Sequence, residues 1–78
     1  MQTISVLIAD DHELTRESLA LLLDREPGID VVGVAADGRS AISMAKSLQP
    51  SVAILDVSLP MINGIQVARQ LRVDSPKT

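Results

Sequence analysis

The stretch Ile4-Ser5-Val6-Leu7-Ile8-Ala9-Asp10-Asp11-His12 decides the fold, because a nearly continuous apolar run stops abruptly in an acid pair. Such a run, without alternation, predicts a strand covered on both faces, as in the centre of a parallel sheet. A second run, Val52-Ala53-Ile54-Leu55, ends in Asp56 in the same way. If the two are neighbouring parallel strands about 4.8 Å apart, Asp10, Asp11 and Asp56 converge at one sheet edge. Two unit negative charges ~5 Å apart repel by about 3 kcal/mol at an effective dielectric of ~20, so the cluster stays ionised only with positive charge in it. Oxygen-only ligands suit a hard cation that keeps several waters, which makes Mg²⁺ the expected occupant. Asp56 is then a candidate nucleophile.

Working outward, the segments between the strands read as helices. Asp11 is placed to cap the first, with Glu13 and Glu17 near its positive end. Thr15, Leu19, Leu22 and Leu23 form its expected core face, and Leu14, Ser18 and Leu21 a less committed stripe. Pro27-Gly28 stops it. A second strand runs from about Asp30 to Ala35, and Asp37-Gly38 turns the chain into a second helix. There Ala41, Met44, Ala45 and Leu48 repeat at helical spacing up to Pro50. After a loop from Asp56 to Asn63, Gly64, Val67, Ala68 and Leu71 mark a third helix, which Ser75-Pro76 ends. The order βαβαβα predicts a doubly wound parallel sheet, for which the strand order 2-1-3 is assumed and not fixed by the residues themselves. Its winding reverses between strands one and three, and ligands of such sheets bind at that crevice.

The 78 residues allow one small domain, and the absence of any aromatic residue leaves a core of Leu, Ile, Val, Ala and Met. A net charge of −3, with scattered basic residues, argues against binding DNA by a face of this chain. With no cysteine, disulfides and cysteine-ligated zinc are excluded. No stretch has the length to cross a bilayer, and a cytoplasmic setting is expected.

Leu7-Ile8-Ala9-Asp10-Asp11-His12, Val31-Val32-Gly33 leading to Ala36-Asp37-Gly38, and Asp56 followed by Pro60 and Gly64 together resemble the CheY-like, flavodoxin-like receiver domain of two-component response regulators. The likeness is greatest to the subfamily whose receivers precede a LuxR-type (NarL/FixJ-like) helix-turn-helix domain. The resemblance implies that Asp56 accepts a phosphoryl group from a sensor histidine kinase or a small acyl phosphate. Asp10 and Asp11 would hold Mg²⁺ with Asp56 and the backbone carbonyl of Ser58, while Pro60 and Gly64 shape the acceptor loop. It implies an acceptor with at most self-catalysed turnover, not an enzyme, within a parent that regulates transcription.

The resemblance also implies an incomplete receiver, residues 1–78 carrying three of five βα units. The Ser or Thr, the Lys and the aromatic switch residue of strands four and five are absent. Lys77 follows the third helix, at the end opposite the acids, and does not replace that Lys. The uncovered edge of strand three is expected to drive self-association.

Other readings stand beside these. Taken singly, Asp11 is a cap and Asp10 and Asp56 are turn acids. Leu14, Ser18 and Leu21 are either the kinase-docking surface or ordinary exposed residues. His12 is read as a first-turn surface residue, Met44 and Met61 as gap fillers, and Asp37-Gly38 as turn chemistry. An alternative function is a kinase-docking module that takes up no phosphate. A third, a haloacid-dehalogenase-like phosphohydrolase, needs a second acid where Ser58 stands.

Overall fold

The computed structural model describes residues 3–78. The chain runs β1 (Ile4–Ala9), α1 (Glu13–Asp24), β2 (Ile29–Ala35), α2 (Gly38–Leu48), β3 (Val52–Leu55) and α3 (Gly64–Asp74). The strands form one parallel sheet in the order β2-β1-β3, which is the order assumed from the sequence. The central strand is covered on both faces: Val6, Leu7, Ile8 and Ala9 are all buried. Leu7 and Ala9 join the main core with Ala35, Ala41, Ala45, Leu59, Val67 and Leu71. This core lies under α2 and α3, which also pack on each other, whereas α1 packs on β1 and β2.

Two helices are fixed by their caps. Asp37 accepts the Ser40 amide at 2.8 Å and starts α2, confirming the expected turn chemistry. Asn63 and Gln66 form a reciprocal capping box on α3. Gln49, in the left-handed region at the end of α2 with φ 48°, donates from Nε2 to the Asp74 carbonyl at 2.8 Å. That bond ties the ends of the two helices together.

Helix α1 differs from its expected facing. Thr15 is exposed and Leu22 is 61% exposed, whereas Arg16, Leu19, Ala20 and Leu23 are the half-buried positions. The Arg16 guanidinium donates to the Asp10 carbonyl at 3.0 Å, which turns that side of the helix toward the sheet. Elsewhere Ala68 and Leu48 are exposed, although they share the apolar spacing of their helices.

Leu7→Ala is expected to cost about 3 kcal/mol or to leave the chain unfolded, because its side chain is fully buried. Leu22→Ala is expected to change stability by no more than about 0.5 kcal/mol. Urea unfolding followed by far-ultraviolet circular dichroism separates the two.

Candidate metal centre

The sheet ladder carries straight on into the acids. The Asp10 amide donates to the Ala35 carbonyl at 3.1 Å, and the Asp56 amide donates to the Ala9 carbonyl at 2.9 Å. Both side chains therefore leave the carboxyl edge of the sheet from fixed backbone. Ligand atoms of Asp10, Asp11, His12 and Asp56 lie within 4.8 Å of one another. The convergence read from the two apolar runs is thus present, with one further member.

Asp11 does not cap α1. The N-cap position is His12, whose side chain makes no capping bond, and the Asp10 carboxylate instead accepts the His12 amide at 2.8 Å. Because Asp10 still belongs to the ladder, the turn falls one residue later than expected. Asp10 closes that turn, and the Asp11 carboxylate is left for the cluster.

Asp56 has one oxygen engaged and one directed into the cluster. Its Oδ1 accepts the Ser58 amide at 3.1 Å and the Ser58 hydroxyl at 3.0 Å. These bonds, the amide's first, hold the carboxyl below its ordinary pKa, and the charge of His12 adds to them. Its Oδ2 lies 3.9 Å from His12 Nδ1.

His12, read from sequence as a surface residue, is 68% exposed yet belongs to the cluster. Its Nδ1 lies 3.2 Å from Asp10 Oδ1 and 3.1 Å from Asp11 Oδ1. The hydrogen bond to Asp10, followed by the charges of Asp11 and Asp10, raises its pKa above 6.5. Its adjacency to the acid pair was the available signal, but the backfolding of the turn through Asp10 was not visible in the residues.

The loop that follows Asp56 is clamped on several sides. Leu59 is buried, and the Gly64 amide donates to the Val57 carbonyl at 3.2 Å. A side chain at Gly64 would overlap the Asp56 carbonyl, and one at Gly38 would overlap the Ile62 carbonyl. Glycine at these points is a requirement of close approach. Pro60 is exposed, and its carbonyl accepts the Ile62 amide at 2.8 Å. Met61 is no gap filler: it is 80% exposed, with φ 70°, at the loop tip. Met44 does pack against the core.

The remaining expected residues lie elsewhere. Leu14 and Leu21 are 78% and 58% exposed, and Ser18 is exposed with them along α1. Thr78 donates to the Pro50 carbonyl at 2.7 Å, just before β3 begins. Its neighbour Lys77 therefore stands toward the sheet edge opposite the acids.

Residues 6–78 match the response regulator receiver domain family, and the chain belongs to that family. It is 38% identical over 68 residues to the transcriptional regulatory protein LiaR of Bacillus subtilis, covering 87% of this chain and 32% of that protein. The response regulator domain of Thermotoga maritima CheB superposes with a TM-score of 0.92 at 35% identity, covering 96% of this chain and 56% of that one. A LuxR-family response regulator from Aurantimonas gives 0.85 at 34% identity, covering 91% and 51%. The chain spans about a fifth of the length of the protein-glutamate methylesterases that it also matches. The fold is thus that of a two-component receiver with three βα units, in keeping with the resemblance drawn from its motifs.

Two predictions follow from this geometry. The His12 ring, followed by proton NMR without divalent ions, titrates above 6.5, and Asp10→Asn moves it down toward that value. Since the folded chain holds this proton more tightly than the unfolded chain, the linked stabilisation is full below pH 6.5 and is lost as pH rises through the raised pKa. Gly64→Ala displaces the Asp56 backbone, seen as destabilisation of about 1–3 kcal/mol in urea and as amide shifts centred on residues 56–58.

Proposed function

We propose that Asp56 is the phosphoacceptor of this receiver and that Asp10, Asp11, Asp56 and the backbone carbonyl of Ser58 hold Mg²⁺. The observation that carries the reading is the convergence at Asp56: Ser58 donates twice to Oδ1, and a carboxylate oxygen of Asp56 lies within 4.8 Å of those of Asp10 and Asp11. An all-carboxylate and carbonyl donor set fits a hard divalent ion. Bound there, Mg²⁺ would supply the positive charge that lets an anionic phosphoryl group approach a carboxylate.

The chain's own contribution is positional. Asp56 is held ionised, so no general base is required, and His12 has no proton to remove from it. A carboxylate oxygen of Asp56 forms the new bond to phosphorus as the bond from phosphorus to a donor imidazole nitrogen, or to an acyl oxygen, breaks. The leaving atom keeps the electron pair. Pro60 and Gly64 keep the loop close to Asp56, Gly64 by leaving room for its carbonyl.

The donor in this proposal is a sensor histidine kinase that docks on α1. Support comes from Leu14 and Leu21, two large apolar side chains exposed beside Ser18 on the helix that leads out of the site. A docking module that takes up no phosphate is the second reading, and the same exposed stripe favours it. The likenesses to LiaR and to a LuxR-family regulator support transcription control by a parent protein, with DNA contacts made outside this acidic domain.

Self-association belongs to the proposal as well. Among the described residues β3 pairs only with β1, and Val52 and Ile54 are exposed on it, beside a trough lined by Ala53, Leu55, Ala68 and Leu71.

Incubation with Mg²⁺ and acetyl phosphate is expected to add one phosphoryl group by intact mass, and Asp56→Asn is expected to abolish the gain. No gain by a folded sample, with retained kinase binding, would contradict the acceptor reading and leave the docking module.

A further inference from the structure

We propose that His12 is a nitrogen ligand of this cation site, so that the site takes a borderline transition ion such as Ni²⁺ through three carboxylates and one imidazole as well as the hard ion Mg²⁺. The inference rests on the metal-centre reading above and extends its donor set.

Distance is the first argument. Ligands about 2.1 Å from an octahedral ion stand about 3.0 Å apart when adjacent and about 4.2 Å apart when opposite. His12 Nδ1 lies 3.1 Å from Asp11 Oδ1, 3.2 Å from Asp10 Oδ1 and 3.9 Å from Asp56 Oδ2. The separations from Asp11 and Asp10 match adjacent ligands, while that from Asp56 lies between the adjacent and opposite values, so the imidazole stands near a ligand position relative to the acid pair. A side chain that merely followed the acids in sequence would be free to point into solvent.

The backbone explains why the ring is there. The His12 amide is held by Asp10 Oδ1 at 2.8 Å, and the His12 carbonyl accepts the Arg16 amide in the first turn of α1. The turn therefore presents His12 on the same side as the acids. Its ring has no polar partner outside the cluster among the described residues, so ligation would sacrifice no other bond.

Donor chemistry then separates the ions. Carboxylates and carbonyls suit Mg²⁺, whereas imidazole suits Ni²⁺, Zn²⁺ and Cu²⁺. Any site of this kind binds Ni²⁺ more tightly than Mg²⁺, so the affinity of the unaltered chain decides nothing by itself. What decides is the response of the two ions to loss of the ring. An imidazole that ligates supports Ni²⁺ alone; one that only shapes the turn supports both ions alike.

The test is calorimetric titration of the full chain with Ni²⁺ and, separately, Mg²⁺ at neutral pH, for the unaltered protein, His12→Ala and His12→Gln. Ni²⁺ affinity is expected to fall at least about tenfold in both variants, while Mg²⁺ affinity is unchanged or rises. His12 is the only histidine in the chain, so a strongly shifted imidazole resonance in the proton NMR spectrum of the Ni²⁺ form belongs to it. That resonance is expected in the unaltered protein and absent from both variants. Unchanged Ni²⁺ affinity, equal weakening of both ions, or no shifted imidazole resonance would overturn the assignment. Failure of the unaltered chain to bind Mg²⁺ would overturn the metal-centre reading beneath it, a result separate from Mg²⁺ binding with Ni²⁺ indifferent to His12.

Discussion

The mutual repulsion of Asp10, Asp11 and Asp56 is the constraint to which the rest of the structure answers. Two of the three are fastened by ladder hydrogen bonds, so they have no freedom to move apart. Their proximity is relieved locally instead. Ser58 donates twice to Asp56, the His12 ring stands against Asp10 and Asp11, and the Asp10 carboxylate also holds the turn into α1. Each of these contacts puts a donor or a positive charge against an oxygen that would otherwise face only negative charge, and a divalent cation does the same more strongly.

The core makes that arrangement possible by being small. Ala9, Ala35, Ala41 and Ala45 are buried where the sheet meets α2 and α3. Short side chains allow the helices to approach the sheet closely, and glycine at 38 and 64 extends this closeness to the loop after Asp56. The loop is thus braced at both ends and by Leu59 between them, with its tip at Met61 80% exposed. Packing in the core and position at the site are therefore one problem: a larger residue at either glycine would move the peptide that carries Asp56 or the one at Ile62.

Much of this was legible in the residues because the strands announce themselves. Val6 to Ala9 and Val52 to Leu55 are apolar without alternation and end in acids, so both the burial of the central strand and the convergence of Asp10, Asp11 and Asp56 follow once the winding order is assumed. Helix α1 was harder. Leu14, Leu19, Ala20, Leu21, Leu22 and Leu23 nearly surround it, so periodicity could not fix its rotation. The deciding contact, Arg16 to the Asp10 carbonyl, joins a side chain to a backbone atom and leaves no hydrophobic pattern. The same limit applies to the turn before it. Which acid closes the turn depends on how far the ladder runs, and that single residue moves the cap from Asp11 to His12 and brings the imidazole into the cluster. Met61 departs from the gap-filling expectation for a related reason: a left-handed backbone position at a loop tip has no signature in hydrophobicity.

The most direct measurement of the central claim is the dependence of unfolding on Mg²⁺. If the three carboxylates form a cation site, Mg²⁺ binds the folded chain preferentially, and stability rises with its concentration as the logarithm of site occupancy requires. The account predicts a rising urea midpoint for the unaltered chain as Mg²⁺ is added at constant ionic strength, and a flat response for Asp11→Asn. A midpoint of the unaltered chain indifferent to Mg²⁺, or one that rises equally in the variant, would contradict it.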